Sequence, residues 1–246
     1  MKKGTLIIPD VHGREFWKEA AKSQDYEKVV FLGDYSDPYD IEGITDDVAI
    51  DNFKSIIDYK QQNPDKVVLL LGNHDLHYFS NYFYELAGGV RYDPLAAISL
   101  QRLFLESPHL FQLAYETDLG GKHYLFSHAG ITQCWLKRNI DLIRKPDARH
   151  LNRLIHSNEG LEALAQVGEM RWGDYPSGSM VWADVEEMLV SDPLPDTYQI
   201  VGHSMQYDGP IVNDKFACLD CRAAFVLNNK GKIKPVTQIT PYEEYF

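Results

Sequence analysis

Five short peptides in this chain carry side chains of the kind that bind metal ions: Asp10-Val11-His12, Gly33-Asp34, Gly72-Asn73-His74-Asp75, Ser127-His128-Ala129-Gly130 and Gly202-His203. Together they offer two carboxylates, one amide oxygen and several imidazoles. Mixed oxygen and nitrogen donors suit borderline divalent ions such as Mn²⁺, Fe²⁺ or Zn²⁺. The set lacks the thiolates of a structural zinc site and the all-oxygen shell of calcium. Each peptide alone is ordinary. An Asp-x-His is commonly a solvated polar pair, a Gly-Asp is turn chemistry and a Gly-His is a loop histidine. Their weight comes from recurring five times in the same local setting.

That setting is the end of a short apolar run. The runs are Thr5–Ile8, Val29–Leu32, Val67–Leu71, His123–Phe126 and Tyr198–Val201, each the length of a buried strand. A rigid sheet can aim side chains from the carboxyl ends of separate strands at one point. Between the first runs the periodicity turns helical, at Glu15–Lys22 and at Asp46–Gln62. The second has Val48, Phe53, Ile56 and Ile57 on one stripe and Asn63-Pro64 as its stop. The alternation predicts an α/β core. Further helices are expected at about Asp93–Glu106 and from Thr132, a candidate N-cap, to about Val167, broken near Pro146 and at Asn158–Gly160. Strands return at Gly209–Val212, Phe216–Leu219, Ala223–Leu227 and Ile233–Ile239, with Asn228–Gly231 as a hairpin turn. With no repeat, low-complexity tract or linker, one domain over residues 1–246 is expected, with a helical insertion at about 132–190.

Composition narrows the function. Hydrophobic residues at 44% and aromatics at 12% exclude a largely disordered chain. Twenty-four basic against 36 acidic residues give a net charge of −12, which repels polyanions and argues against a duplex nucleic acid partner. Small phosphates remain possible substrates if bound cations reverse the sign locally. The longest apolar run, Val67–Leu71, is far too short for a membrane span, and the initial one stops at Pro9-Asp10, so no secretory signal is expected. Three cysteines, Cys134, Cys218 and Cys221, fit a reducing cytoplasm better than a disulfide framework. The Cys218-x-x-Cys221 pair, in a strand-like context, reads as buried inert thiols.

In order, D-x-H, G-D-x-x-D, G-N-H-D, S-H and G-H resemble the pattern of the calcineurin-like metallophosphoesterase superfamily. The likeness is strongest to the bacterial branch of its phosphoprotein phosphatase group, which includes diadenosine-tetraphosphate hydrolases. It spans Asp10 to His203. The resemblance implies a four-layer α/β/β/α sandwich of two mixed sheets with two divalent metals at the strand ends, manganese being the ion expected to serve in vitro. Position by position, it implies that Asp10, His12 and Asp34 hold the first metal. Asp34 would bridge to the second, completed by Asn73, His128 and His203. His74 would protonate the leaving alkoxide, oriented by Asp37. The implied activity is phosphate-ester hydrolysis by metal-activated hydroxide, of the serine/threonine phosphoprotein phosphatase type, on a phosphorylated small molecule, nucleotide or phosphopeptide. The alternatives are a dinucleoside polyphosphate hydrolase or nucleotidase, and a non-catalytic scaffold.

The chain departs from that pattern in three places. Pro38-Tyr39 stands where the branch has Arg-Gly, so a phosphate-gripping arginine is missing. Leu76 follows Gly-Asn-His-Asp, where arginine is frequent. Gly202-His203-Ser204-Met205 lacks the second histidine of the Gly-His-x-His found in many superfamily members, which matches the phosphoprotein phosphatase branch and implies a more open first metal. The expected replacement grip is Arg171, ahead of Trp182-Ala183-Asp184, which resembles a Trp-[SA]-Asp motif; Arg14 and Arg222 are weaker candidates. His150 and His156 read as surface or satisfied residues, and His77 as at most a supporting group. Ser127 is not a nucleophile, because a metal-ligating His128 cannot also be its base. The tyrosines, including those in Pro241–Phe246, read as packing and interface material.

Overall fold

In the computed structural model, which describes residues 4–22, 25–89 and 91–240, the apolar runs form strands. In chain order the strands are β1 (Thr5–Ile8), β2 (Lys28–Phe31), β3 (Val67–Leu70), β4 (Phe111–Gln112), β5 (Ala114–Leu119) and β6 (Lys122–Ser127). They continue with β7 (Tyr198–Val201), β8 (Ile211–Val212), β9 (Phe216–Cys218), β10 (Phe225–Leu227) and β11 (Ile233–Pro235). One sheet has the order β11-β10-β1-β2-β3-β4, the other β5-β6-β7-β9-β8. Both are mixed. In the first, β1 to β4 run parallel and β10 joins β1 antiparallel. In the second, β6, β7 and β9 run parallel between antiparallel edges.

Alternate residues explain the layering. Ile7, Val30 and Leu70 of the first sheet pack with Phe126, Ile200 and Ala217 of the second. Leu6, Ile8, Val29, Phe31, Val67 and Leu69 turn the other way, to Trp17, Phe53 and Ile56 on helices. Beyond the second sheet, Val201, Phe216 and Cys218 pack against Val185 and Met188. The result is the expected α/β/β/α sandwich. Strands covered on both faces carry apolar residues at nearly every position, which is why they show in the sequence as runs.

The helices are α1 (Phe16–Ala21), α2 (Asp46–Gln62), α3 (Asn73–Phe79), α4 (Asn81–Ala87) and α5 (Pro94–Glu106). Those of the insertion are α6 (Gln133–Arg138), α7 (Ile140–Ile143), α8 (Ala148–Leu151), α9 (Asn158–Leu164) and α10 (Val185–Val190). Thr132 does cap α6, its hydroxyl accepting the Trp135 N–H at 3.1 Å. Several expectations need correction. Val48 is half exposed, and the buried stripe of α2 is Ile50, Phe53, Ile56 and Ile57. Asn158–Gly160 is no break but the first turn of α9, because the Ser157 hydroxyl accepts the Gly160 N–H at 3.0 Å and starts a helix there. The last strand is shorter than expected, ending at Pro235, which has no N–H to donate. The short helices α3 and α4 and the strand β5 have no counterpart among the expected elements. Met1–Lys3 and Pro241–Phe246 lie outside the described residues. Among the described residues, no helix is long and apolar enough to cross a membrane.

One buried side chain fixes how β6 meets β7. Gln199, on β7, accepts the Ile131 N–H at 2.8 Å and donates to the Ile131 carbonyl at 2.9 Å, pinning the segment that follows His128. Gln199→Leu leaves both backbone groups unpaired and is expected to cost about 2–3 kcal/mol of stability. Urea denaturation measures the loss; an unchanged midpoint contradicts it.

Candidate metal centre

The loops after β1, β2, β3, β6 and β7 meet at one edge of the sandwich, and backbone bonds tie them in pairs. The Val11 and His12 N–H groups donate to the Asp34 carbonyl at 3.0 and 2.7 Å, and the Gly202 N–H donates to the His128 carbonyl at 2.7 Å. Four side-chain-bearing residues of these loops sit in left-handed backbone: His12 (φ 45), Asp34 (φ 54), Asp37 (φ 56) and His203 (φ 66). Asp and His tolerate that region better than bulky residues, and such conformations collect at functional sites. The small residues matter for room. A Cβ on Gly72 would stand 2.1 Å from Asp34 Oδ1 and 2.7 Å from the His128 ring, and one on Gly202 would stand 2.1 Å from Asp10 Oδ1.

Potential ligand atoms converge in two buried groups that share Asp34: Asp10 with His12 and Asp34, and Asp34 with His128 and His203. Asn73, the first residue of α3, adds its Oδ1 3.0 Å from His128 Nε2. All six residues expected to bind metal are thus brought together. Their hydrogen bonds select which atom of each faces inward. His12 Nδ1 donates to the Ser36 carbonyl at 2.9 Å, leaving Nε2 3.6 Å from Asp34 Oδ2. His128 Nδ1 donates to the Leu32 carbonyl at 2.9 Å, leaving Nε2 3.4 Å from Asp34 Oδ2 and 3.0 Å from His203 Nδ1. Carbonyl partners of this kind fix the orientation of ligating imidazoles. Both Asp10 oxygens accept the His203 backbone N–H, at 2.9 and 3.0 Å, so the first and last motifs interlock.

The donor set fits a divalent cation pair. Lone pairs of two carboxylates, an amide oxygen and imidazoles face one another in a region almost without solvent. Burial opposes ionisation of Asp34, yet His128, His74 and His12 hold its carboxyl well below the usual range. Burial and the neighbouring Asp34 push Asp10 the other way. Burial disfavours a charged His128, but Asp34 and Asp10 outweigh it and push its pKa up to about 9. The centre demands positive charge where His128 Nε2 points, which is what a metal provides. Burial, helped by Arg91 for His12 and by Arg171 for His203, keeps those two imidazoles neutral, the form that ligates.

A sequence model described as calcineurin-like phosphoesterase matches residues 5–207. The chain belongs to the calcineurin-like phosphoesterases. This makes it a metal-dependent hydrolase of phosphoric esters. Among solved structures it is similar to a protein serine/threonine phosphatase from Saccharomyces cerevisiae, described as similar to human phosphatase PP5. That likeness has 12% identity and a TM-score of 0.48, over 96% of this chain and 80% of that one. No curated protein matches.

In this phosphoesterase His74 lies beside the ligand cluster. Its backbone N–H donates to Asp34 Oδ1 at 3.0 Å, and its Nδ1 donates to Asp37 Oδ2 at 2.7 Å. The expected His74–Asp37 pair is formed. Asp37 also accepts from His77 Nε2 at 2.9 Å and from the Tyr78 hydroxyl at 2.6 Å. Burial opposes its charge, but His74 and His77 hold its pKa at about 2. Asp75 accepts the Gly72, Asp34 and Tyr35 N–H groups at 2.7, 2.7 and 3.0 Å and so joins the loops after β2 and β3.

The three candidate arginines have different partners. Arg171 Nη2 reaches Asp184 Oδ2 at 3.0 Å and Ser204 Oγ at 2.9 Å, beside His203. Arg14 donates to both Glu42 oxygens at 2.9 and 2.7 Å, and Arg222 reaches Glu42 Oε1 at 2.7 Å. Arg91, which sequence reasoning misses, places Nη2 3.3 Å from His74 Nε2 and 3.4 Å from His12 Nδ1. No local pattern announces it. His77 and Tyr78 do carry a signal: they lie three and four residues after His74, on one face of α3. Cys134, Cys218 and Cys221 are free, and burial pushes the Cys218 and Cys221 thiols up, Cys221 to about 12.

The close approach at Gly72 is directly testable. Gly72→Ala is expected to weaken manganese binding about 10–100-fold, as supporting-shell changes do. Equilibrium dialysis with elemental analysis measures it, and circular dichroism checks that the fold survives. Unchanged affinity would remove the packing argument for that glycine.

Proposed function

We propose that this phosphoesterase is a phosphatase of the serine/threonine phosphoprotein phosphatase type, using two divalent cations, manganese serving in vitro. Asp10, His12 and Asp34 would hold one, and Asp34, Asn73, His128 and His203 the other. The observation that carries the reading is the meeting of two ligand groups on one shared, buried carboxylate, Asp34, with His74 against it. When bound, the metals supply a hydroxide nucleophile at neutral pH and screen the anionic ester.

The chain's own residues do the rest. His74, its Nδ1 held by Asp37, directs Nε2 away from that carboxylate and is placed to hand a proton to the departing alkoxide. Asp37, bonded by three donors, cannot turn away and keeps the imidazole in one orientation. Arg171, braced by Asp184 and Ser204 next to His203, offers a fixed cation on the side of the second metal. A non-catalytic scaffold would have no use for this proton-handling pair. Free thiols at all three cysteines support a reducing compartment.

A nucleotidase or dinucleoside polyphosphate hydrolase is the second reading, and one feature favours it. A cleft of about 320 Å³ beside Arg171 is lined by Trp172, Tyr175 and Trp182. Trp172 is 98% exposed, a poor place for a core residue and a suitable one for stacking a base. Trp182 stands edge-on to His203, ring centres 5.9 Å apart.

Hydrolysis of p-nitrophenyl phosphate and its bis ester with Mn²⁺ tests the first reading, followed by phosphopeptides, nucleotides and dinucleoside polyphosphates. Wild type is expected to turn over the monoester only with metal. His74→Asn should lower kcat about 10²–10⁴-fold with manganese content unchanged. No metal-dependent turnover of any ester would overturn the proposal. Nucleotides outrunning phosphopeptides would favour the second reading.

A further inference from the structure

Pro38, next to Asp37, brings no charge to the centre, and Arg14, Arg222 and Arg171 all spend donors on carboxylates. Arg91 stands apart. Among the described residues no carboxylate pairs with it. Its guanidinium lies 3.7 Å over the Tyr39 ring, so its plane is fixed by stacking and its edge points inward.

At that edge the donors outnumber the acceptors. His12 Nδ1 faces the Ser36 carbonyl, which can only accept, so that nitrogen carries a hydrogen. Arg91 Nη2, 3.4 Å from the same nitrogen, therefore points one donor at another. Arg91 Nε is buried with no partner. Partly buried donors without acceptors are costly. They converge where the rings of His74, the proton donor, and His12, a metal ligand, meet edge-on with centres 5.3 Å apart. An ester whose phosphoryl group is held at the metal centre and whose departing alkoxide takes its proton from His74 would lie against that edge.

We propose that Arg91, seated on Tyr39, is the residue that grips the phosphoryl oxygens of the substrate. The inference rests on reading the centre as a phosphoesterase site. Two neighbours hold the grip in place: Tyr92 stacks on Tyr78 with ring centres 4.9 Å apart, and the Asp93 N–H donates to the Tyr78 hydroxyl at 3.1 Å. That same hydroxyl donates to Asp37. The arginine and the proton donor are thus referenced to one tyrosine.

The test uses the manganese-loaded protein with inorganic phosphate as probe, its affinity measured by isothermal titration calorimetry, alongside kcat, KM and manganese content. Arg91→Ala is expected to weaken phosphate binding and raise KM about 10–100-fold, the worth of a charge-assisted pair, with manganese content as in wild type. Arg91→Lys, keeping charge but not the planar fork, should recover only part of the loss. Tyr39→Leu, which removes the stacking shelf, should weaken phosphate binding about 2–5-fold. Wild-type phosphate affinity and KM in Arg91→Ala would overturn the proposal. So would loss of manganese from both Arg91 variants, which would make the residue a support of the metal centre. A wild-type protein that binds phosphate but hydrolyses no ester with manganese would refute the catalytic reading alone, leaving the calorimetric comparison to judge Arg91.

Discussion

Asp10 and Asp34 are nearly inaccessible to solvent and lie within reach of the same imidazoles. Two carboxylates so placed repel each other with little water to screen them, which pushes Asp10 up and favours positive charge held between them. Much else about the molecule follows from that. Asp34 is the point common to both ligand groups. His12 and His128 turn their Nε2 atoms toward it because their other nitrogens are occupied by carbonyls. The glycines beside it exist because the carboxylates need the volume that a side chain would fill.

Holding such a centre needs a frame that does not relax. Parallel strands deliver the ligands from one edge of two stacked sheets, and backbone bonds between loops stop each from moving alone. The insertion between β6 and β7 joins this frame and does not merely decorate it. Met180 accepts the N–H of Ala129, next to His128, and Arg171 with Asp184 braces Ser204, next to His203. The helical segment therefore buttresses the ligands of the second sheet, as β10 flanks β1 and the Asp10 loop in the first.

The parts of this design that depend on neighbours along the chain are legible in the amino-acid sequence. Strands buried on both faces leave apolar runs, α2 ends at its Asn63-Pro64 stop, and the candidate ligands sit beside residues small enough for tight turns. The His74–Asp37 pair is legible too, through a resemblance. What escapes are short elements and tertiary meetings. The seven residues of α3 are too few to show a period, and without that helix His77 and Tyr78 cannot be seen to join His74 at Asp37. Arg91 reaches the centre from a segment between α4 and α5 that carries no motif. Arg14 and Arg222 look available because nothing in the sequence announces that Glu42 takes both.

The crowding of donors around Asp37 has one more consequence. With His74 and His77, its carboxylate forms a third trio of potential ligands, a short distance from the other two. Its two oxygens already accept from two imidazoles and a phenol. A cation settling there would have to displace the hydrogens that His74, His77 and Tyr78 share with Asp37. On the proposed reading, the groups that would move the proton are thereby engaged with one another and set apart from those that would hold the ions.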